Sequence, residues 1–175
     1  MESTLTDLLE RRSIRSYKPE QIAEDALQKI LEAGIYAPTA MGRQSPKMVV
    51  VQDKETIKKL SELNARFFPK PIADPFYGAP TVIVVLGPKN MPTYVEDGSL
   101  VLGNLMNAAH ALGIGSCWIH RAREVFDCEE GKELLKAWKI GEEYGGVGHC
   151  ILGYPAEDKA PEPKPRKADY ITYVR

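Results

Sequence analysis

Residues 11–16 read RRSIRS, three guanidinium groups and two hydroxyls in six positions, with Pro19 shortly beyond. Guanidinium groups bind phosphate oxygens through paired, charge-assisted hydrogen bonds, and a neighbouring serine can add a hydroxyl. Each such bond contributes roughly 1.5–3 kcal/mol, so Arg11, Arg12 and Ser13 suffice to hold a phosphate. The same residues equally suit a solvated helix end, where cations complement the negative pole. A second basic group, Lys164, Arg166 and Lys167, stands in a proline-rich stretch. That stretch is either a soluble linker or a stiff presenter of cations.

Other stretches offer less. The loop at 37–46, APTAMGRQSP, supplies Thr39 and Gln44 as hydrogen-bonding groups. In GIGSCWIHR, two glycines precede a strand, which lets a planar ligand approach the backbone or simply makes a turn. His149 and Cys150 are adjacent on a predicted strand and so point to opposite faces; they do not form a nucleophilic pair. Cys150 reads as a core residue and His110 as structural. No dinucleotide fingerprint and no GxxxxGK[ST] loop is present.

The elements that must position these groups follow from apolar spacing. Residues 4–12 read as a helix with Leu5, Leu8 and Leu9 on one face, and 22–33 as a second, with Ala23, Leu27, Ile30 and Leu31 inward and Gly34 as its stop. KMVVVQD is a strand, and Asp53 caps a helix over 54–66 with Ile57, Leu60 and Leu63 on its stripe. Four prolines exclude a regular element from 67–80. TVIVVLG, continuous and β-branched, reads as a strand buried on both faces.

The longest helix spans 95–112, and its apolar arc of roughly 160° is wide enough to face more than one neighbour. GIGSCWI and VGHCILGY are strands, with a helix at 129–139 carrying Leu134, Leu135 and Trp138 between them. Residues 155–165 hold four prolines and form an extended arm ending in YITYVR, whose alternation predicts an edge strand added to a partner's sheet. The expected fold is α+β, one domain over 1–175, with 155–175 as a C-terminal arm.

The 175 residues are 43% apolar and 27% charged with a formal net charge of −1, which disfavours a general nucleic-acid or membrane-surface binder. The N-terminus is too acidic for a signal peptide, and no stretch is apolar enough to span a bilayer. Three cysteines spaced by 11 and 22 match no zinc pattern. A cytoplasmic protein with reduced thiols and no metal is expected.

Taken in order along nearly the whole chain, these stretches resemble the nitroreductase family of FMN-dependent oxidoreductases. RRSIRSY is similar to the family's R-R-S-x-R-x-aromatic, and APTAMGRQSP to its A-P-S-x-x-N-x-Q-P-W loop. LMNAAHALGIGSCWI is similar to its long helix and G-L-G-x-x-W strand, and GHCILGYP with PKPRK to its closing strand and basic arm. The resemblance implies a three-layer α/β/α fold with a mixed, mainly antiparallel sheet, and an arm reaching the other subunit of a homodimer.

It also implies two bound FMN at the subunit interface and hydride delivery from NADH or NADPH to nitroaromatic, quinone or related acceptors by a ping-pong route. In that reading Arg11, Arg12, Ser13 and Arg15 surround the flavin, with Arg11 and Ser13 at the phosphate and ribityl end and Arg15 at the pyrimidine edge. Lys164 and Arg166 return to the phosphate. Backbone near His120 and Arg121 faces the ring nitrogen that accepts hydride. Pro38, Thr39, Ala40 and Gln44 approach the flavin, partly from the partner, and Asn64 lies at the ring edge. No side chain is expected as catalytic acid or base, since the cofactor carries the chemistry. Two positions depart from the family pattern: Gly42 stands where asparagine is common, and Lys47 where tryptophan is. Other redox chemistry such as dehalogenation, or flavin storage or sensing without turnover, would use the same cluster; a small-anion module would lack the flavin.

Overall fold

The β-branched run becomes the centre of a sheet. In the computed structural model, which describes residues 2–157 and 160–175, four strands form: β1 Lys47–Val51, β2 Thr81–Pro88, β3 Gly115–Ile119 and β4 Tyr144–Gly153. Met1, and Asp158 and Lys159 of the expected arm, lie outside the described residues. The strand order is β1-β2-β4-β3 and every pairing is antiparallel. The parallel component comes from outside the named strands, as a bridge between Ser13 and Ser116.

Side chains of β2 alternate between two cores. Val82, Val84 and Leu86 pack with α3 (Lys54–Ala65), α5 (Ala122–Asp127) and α6 (Glu129–Ala137). Ile83 and Val85 pack with α2 (Glu24–Ile35) and α4 (Tyr94–Ala111). Both faces are therefore covered, which gives three layers, α/β/α. Each fully buried Leu, Ile or Val in these cores contributes roughly 1.5–3 kcal/mol of transfer free energy. The register of β2 on β4 shifts between Val85 and Leu86, so Val147 is the extra residue of a bulge. As a result Val147 packs beside Cys150 and Leu152 on the α4 face despite its odd spacing from them.

Differences from the expected elements have local causes. Helix α2 starts at Glu24 rather than Ile22 and runs through Gly34, which is no stop. A Cβ at Gly34 would lie 2.8 Å from Leu105 Cδ2 and 2.9 Å from Met48 Sδ, so this glycine lets α2 lie tightly on α4. Asp53 caps α3 as expected, accepting from Thr56 N at 2.8 Å and Thr56 Oγ1 at 2.7 Å. Helix α5 was not expected. Helix α1 (Glu2–Glu10) leaves Leu5, Leu8 and Leu9 exposed. The irregular 67–80 segment is organised by Asp74, which accepts from Ser61 Oγ, Phe76 N and Gly78 N at 2.6–2.8 Å. The closing segment 170–175 forms no strand with its own chain, and Tyr170, Ile171, Tyr173 and Val174 are exposed. The expected edge strand was to pair with a partner's sheet, and within the single chain these residues stay unpaired with any strand.

Candidate functional site

Residues 13–18 are laced into the fold by backbone bonds. Ile14 N donates to Ser116 O on β3 at 2.9 Å, Lys18 N to Tyr154 O at 2.9 Å, and Ala156 N to Ser16 O at 3.0 Å. Tyr17 is held by its hydroxyl, which donates to Ile14 O at 2.6 Å; burial pushes that hydroxyl's pKa up. A Cβ at Gly115 would lie 3.1 Å from Ile14 Cβ. The glycine before β3 therefore admits the protein's own N-terminal segment, while Gly113, at φ 71°, makes the preceding turn. The lacing fixes RRSIRS at the start of β3, next to the root of the arm.

The arginines divide in role. Arg12 Nη1 donates to Leu9 O at 2.7 Å and to Arg11 O at 2.9 Å, so its guanidinium closes the C-terminal end of α1. Arg11 Nη1, by contrast, is buried and has no hydrogen-bond partner among the described residues; Arg12 Nε shares that condition. Burial raises the Cys150 thiol pKa, Cys117 adds to the rise, and the Arg11 charge opposes it. A buried guanidinium N–H without an acceptor is costly, and an anionic oxygen is the group that relieves it. Ser13, Ile14, Arg15 and Ser16 line a cavity of about 150 Å³ together with Pro155, Glu157 and Pro161 of the arm, so one carboxylate faces the same space as the Arg15 cation. Arg15 is exposed. The residues present fit a phosphate-bearing cofactor.

At the other end of β3, four residues or about 13 Å beyond Ser116, the chain turns into α5. His120 is exposed, and Arg121 takes φ 76°, ψ 8°. The Arg121 guanidinium donates to Glu124 Oε1 at 2.8 Å. Asn64 Nδ2 donates to His120 O at 2.8 Å and lies 3.4 Å from His149 Nδ1. Asn64 is 0% exposed, so its carboxamide reaches no open surface, whereas the resemblance implies a place at a ligand's ring edge.

The loop carrying Pro38, Thr39, Ala40 and Gln44 lies elsewhere. Ala40 N donates to Asp97 Oδ1 at 2.9 Å, Thr93 Oγ1 donates to Asp97 Oδ2 at 3.2 Å, and Gln44 N donates to Thr39 Oγ1 at 2.9 Å. Met41, Gly42 and Gln44 all have left-handed backbone, at φ 55°, 63° and 50°. Gly42, the departure from asparagine, suits that conformation. Lys47, the departure from tryptophan, places its Nζ 4.5 Å from the Tyr144 ring centroid. Asp97 is near the start of α4, while His110 and Gly113 at its other end line a second cavity with Arg12. Thirteen residues of helix, about 20 Å, separate the two. Lys164 and Arg166 sit on the exposed arm, and no hydrogen bond or ion pair between described residues ties them to Arg11, Ser13 or Arg15.

Sequence reasoning missed Asp97 and undervalued His149. Each carried a signal, a polar residue inside an otherwise apolar helix arc or buried strand. Among the described residues no cluster of His, Cys, Asp or Glu could hold a metal, and no helix is long and apolar enough to cross a membrane.

The chain is similar in sequence to a protein of Archaeoglobus fulgidus with the provisional name NADH dehydrogenase/NAD(P)H nitroreductase, 35% identical over 91% of this chain and 89% of the relative. An NAD(P)H-dependent FMN reductase of Bacillus subtilis is 28% identical over 94% of this chain and 70% of its own. Among solved structures, an FMN-bound nitroreductase of Bacteroides fragilis superposes with a TM-score of 0.90 at 30% identity, covering 98% of both chains. One of Desulfitobacterium hafniense, also with FMN, gives 0.87 at 28% identity over the full length of both. The profile of the nitroreductase family matches residues 8–154, and the chain belongs to that family.

Proposed function

We propose that this chain is an FMN-dependent oxidoreductase that draws on NADH or NADPH to reduce nitroaromatic, quinone or related electron-poor acceptors. The observation that carries the reading is the buried, unpartnered Arg11 Nη1 beside Ser13, at one end of a strand whose other end carries the pinned turn at 120–121. The separation of about 13 Å suits an elongated ligand with an anionic end and a planar end. Bound FMN would supply acceptance of a hydride from the nicotinamide and its delivery to the acceptor, in alternating ping-pong steps.

The chain's own residues bind and orient. Arg11 supplies a charge-assisted donor to the phosphate and Ser13 a hydroxyl. Arg15 offers a cation to the pyrimidine edge, where negative charge gathers on reduction. Arg12 acts indirectly, by ending α1 and so setting where Arg11 begins. The turn at 120–121 presents backbone to the reactive ring. Lys164 and Arg166 close on the phosphate when the arm is seated.

We also propose a homodimer. The loop bearing Pro38, Thr39, Ala40 and Gln44 sits about 20 Å along α4 from the arginine cluster, so it serves the partner's flavin rather than its own. The exposed apolar residues Leu5, Leu8 and Leu9 of α1, Leu100 and Leu112 around α4, and those of the tail give a second copy a surface to cover. Three free cysteines accord with a cytoplasmic location.

The test is direct. The purified protein should be yellow, contain one FMN per chain, run as a dimer, and bleach when NADH or NADPH is added without oxygen. Yellow protein that neither nicotinamide bleaches would indicate flavin storage or sensing; colourless protein that takes up no FMN would end the reading.

A further inference from the structure

We propose that His149 and Asn64 form a buried positioning pair that fixes the backbone turn at residues 120–121, the segment assigned above to the reactive ring. The inference rests on the flavin reading for its functional consequence, though not for its geometry.

His149 stands in the middle of β4, aligned with Val84 on β2 and Ile119 on β3, and is 0% exposed. Its ring is wedged against Phe76, with centroids 5.2 Å apart, and Phe126, at 6.1 Å. A side chain on a central strand, clamped by two aromatic rings, has little freedom to rotate. Burial lowers the His149 pKa to about 4, so the imidazole is neutral near pH 7 and one ring nitrogen keeps a lone pair.

Asn64, in the last turn of α3, faces it. A carboxamide nitrogen has two hydrogens, and here two acceptors are in reach: His120 O at 2.8 Å and His149 Nδ1 at 3.4 Å. The His120 carbonyl decides which way the amide points, because flipping it would set Oδ1 against that oxygen. With Nδ2 so placed, we assign the lone pair to His149 Nδ1 and the proton to Nε2; a backbone hydrogen bond with Ile119 also acts on the ring and favours its protonated form. The fixed amide holds the His120 carbonyl, and the next residue, Arg121, takes a left-handed backbone that a non-glycine residue adopts only under restraint.

Stability alone is a poor account of the pair. Asn64 Oδ1 and His149 Nε2 are both buried with no partner among the described residues. A leucine and a phenylalanine would fill the space without burying those two unpartnered atoms. What apolar residues could not do is hold the carbonyl of residue 120 from the protein interior.

The experiment compares wild type, His149→Phe, which fills the site but accepts nothing, and His149→Gln, whose Oε1 restores an acceptor. In His149→Phe we expect FMN retained, flavin reduction by NADH slowed by about tenfold or more, and the Arg121 backbone amide resonance displaced. His149→Gln should recover the rate to within about threefold of wild type. An unchanged rate with an unmoved Arg121 resonance in His149→Phe would overturn the proposal. So would a phenylalanine variant and a glutamine variant that are equally impaired.

Should His149→Phe fail to fold, wild type alone decides. Imidazole 15N shifts must show Nδ1 unprotonated, and the Asn64 side-chain amide must exchange slowly; a proton on Nδ1 refutes the pair. The NMR readouts need no flavin. Colourless, FMN-free protein with the expected tautomer would sink the functional reading and leave the pair standing.

Discussion

Two loops of the expected site are anchored from opposite sides of the sheet, and by unlike means. On the α4 side, the buried carboxylate of Asp97 holds the loop at 38–44, with one oxygen on Ala40 N and the other on Thr93 Oγ1. On the α3 side, a neutral amide and imidazole hold the turn at 120–121 and leave one polar atom each without a partner. The first anchor is charged and has a partner at both oxygens, so removing it should mainly cost stability. The second is neutral and half-satisfied, so removing it should mainly cost geometry. Anchors at a site can therefore be sorted by whether their loss is read in a melting curve or in a rate.

The largest effect expected is in pH dependence. The His149 pKa is lowered from its ordinary 6.5 to about 4 in the fold, by burial first, against an opposing backbone hydrogen bond with Ile119, with the nearby His120 adding a little to the drop. Between those values the unfolded chain binds more protons than the folded one, so stability is undiminished above about pH 6.5 and falls as pH drops toward 4. The loss amounts to roughly 3 kcal/mol at most. Urea melts of wild type and His149→Gln should diverge in that window and run parallel above it; curves parallel throughout would mean that His149 is not buried neutral.

Next, Asp97→Ala should cost about 2–3 kcal/mol, because a buried charge-assisted bond is lost and Ala40 N is left without an acceptor. Hydrogen exchange should show the Ala40 amide opening while the turn at 120–121 stays protected. If both loops open together, the two anchors are not independent and the contrast fails.

Arg11→Ala should weaken FMN binding by roughly 1–3 kcal/mol, read by flavin titration, with the fold intact. Arg12→Ala is the smaller partner of that test. Its guanidinium is engaged by α1 carbonyls, so helix fraying worth about 0.3–1 kcal/mol is expected. FMN affinity should fall well short of the Arg11→Ala loss; equal losses would mean that the two arginines do not divide as their contacts indicate.

Much of the scaffold was legible because burial imposes long patterns. TVIVVLG could only be a strand covered on both faces, and Asp53 before a three-turn stripe could only be a cap. Helix α5 was not legible: six residues entered through a left-handed arginine show neither period nor start signal. Gly34 misled because a glycine near a helix end reads as a stop, while here it makes room for Leu105 and Met48.

The site was legible in kind rather than in detail. RRSIRS suited a solvated helix end as well as an anion, and nothing in its spacing separates the arginine that closes a helix from the one left without an acceptor. That division depends on where α1 ends. Asn64 was expected at a ligand edge, and its full burial depends on how α3 meets β4, a contact between residues 85 apart in sequence. Asp97 escaped notice because a carboxylate at the start of a helix ordinarily complements the helix dipole at the surface.

Strand β2 has a hydrogen-bonded neighbour on each edge and a helical layer on each face, and Val82 through Leu86 are 0% exposed. Its amides can reach water only when the entire molecule opens. A deuterium label on this strand is therefore a built-in gauge of global free energy. Any ligand or second copy that favours the native form should slow exchange there without touching it, by an amount that mass action converts into an affinity.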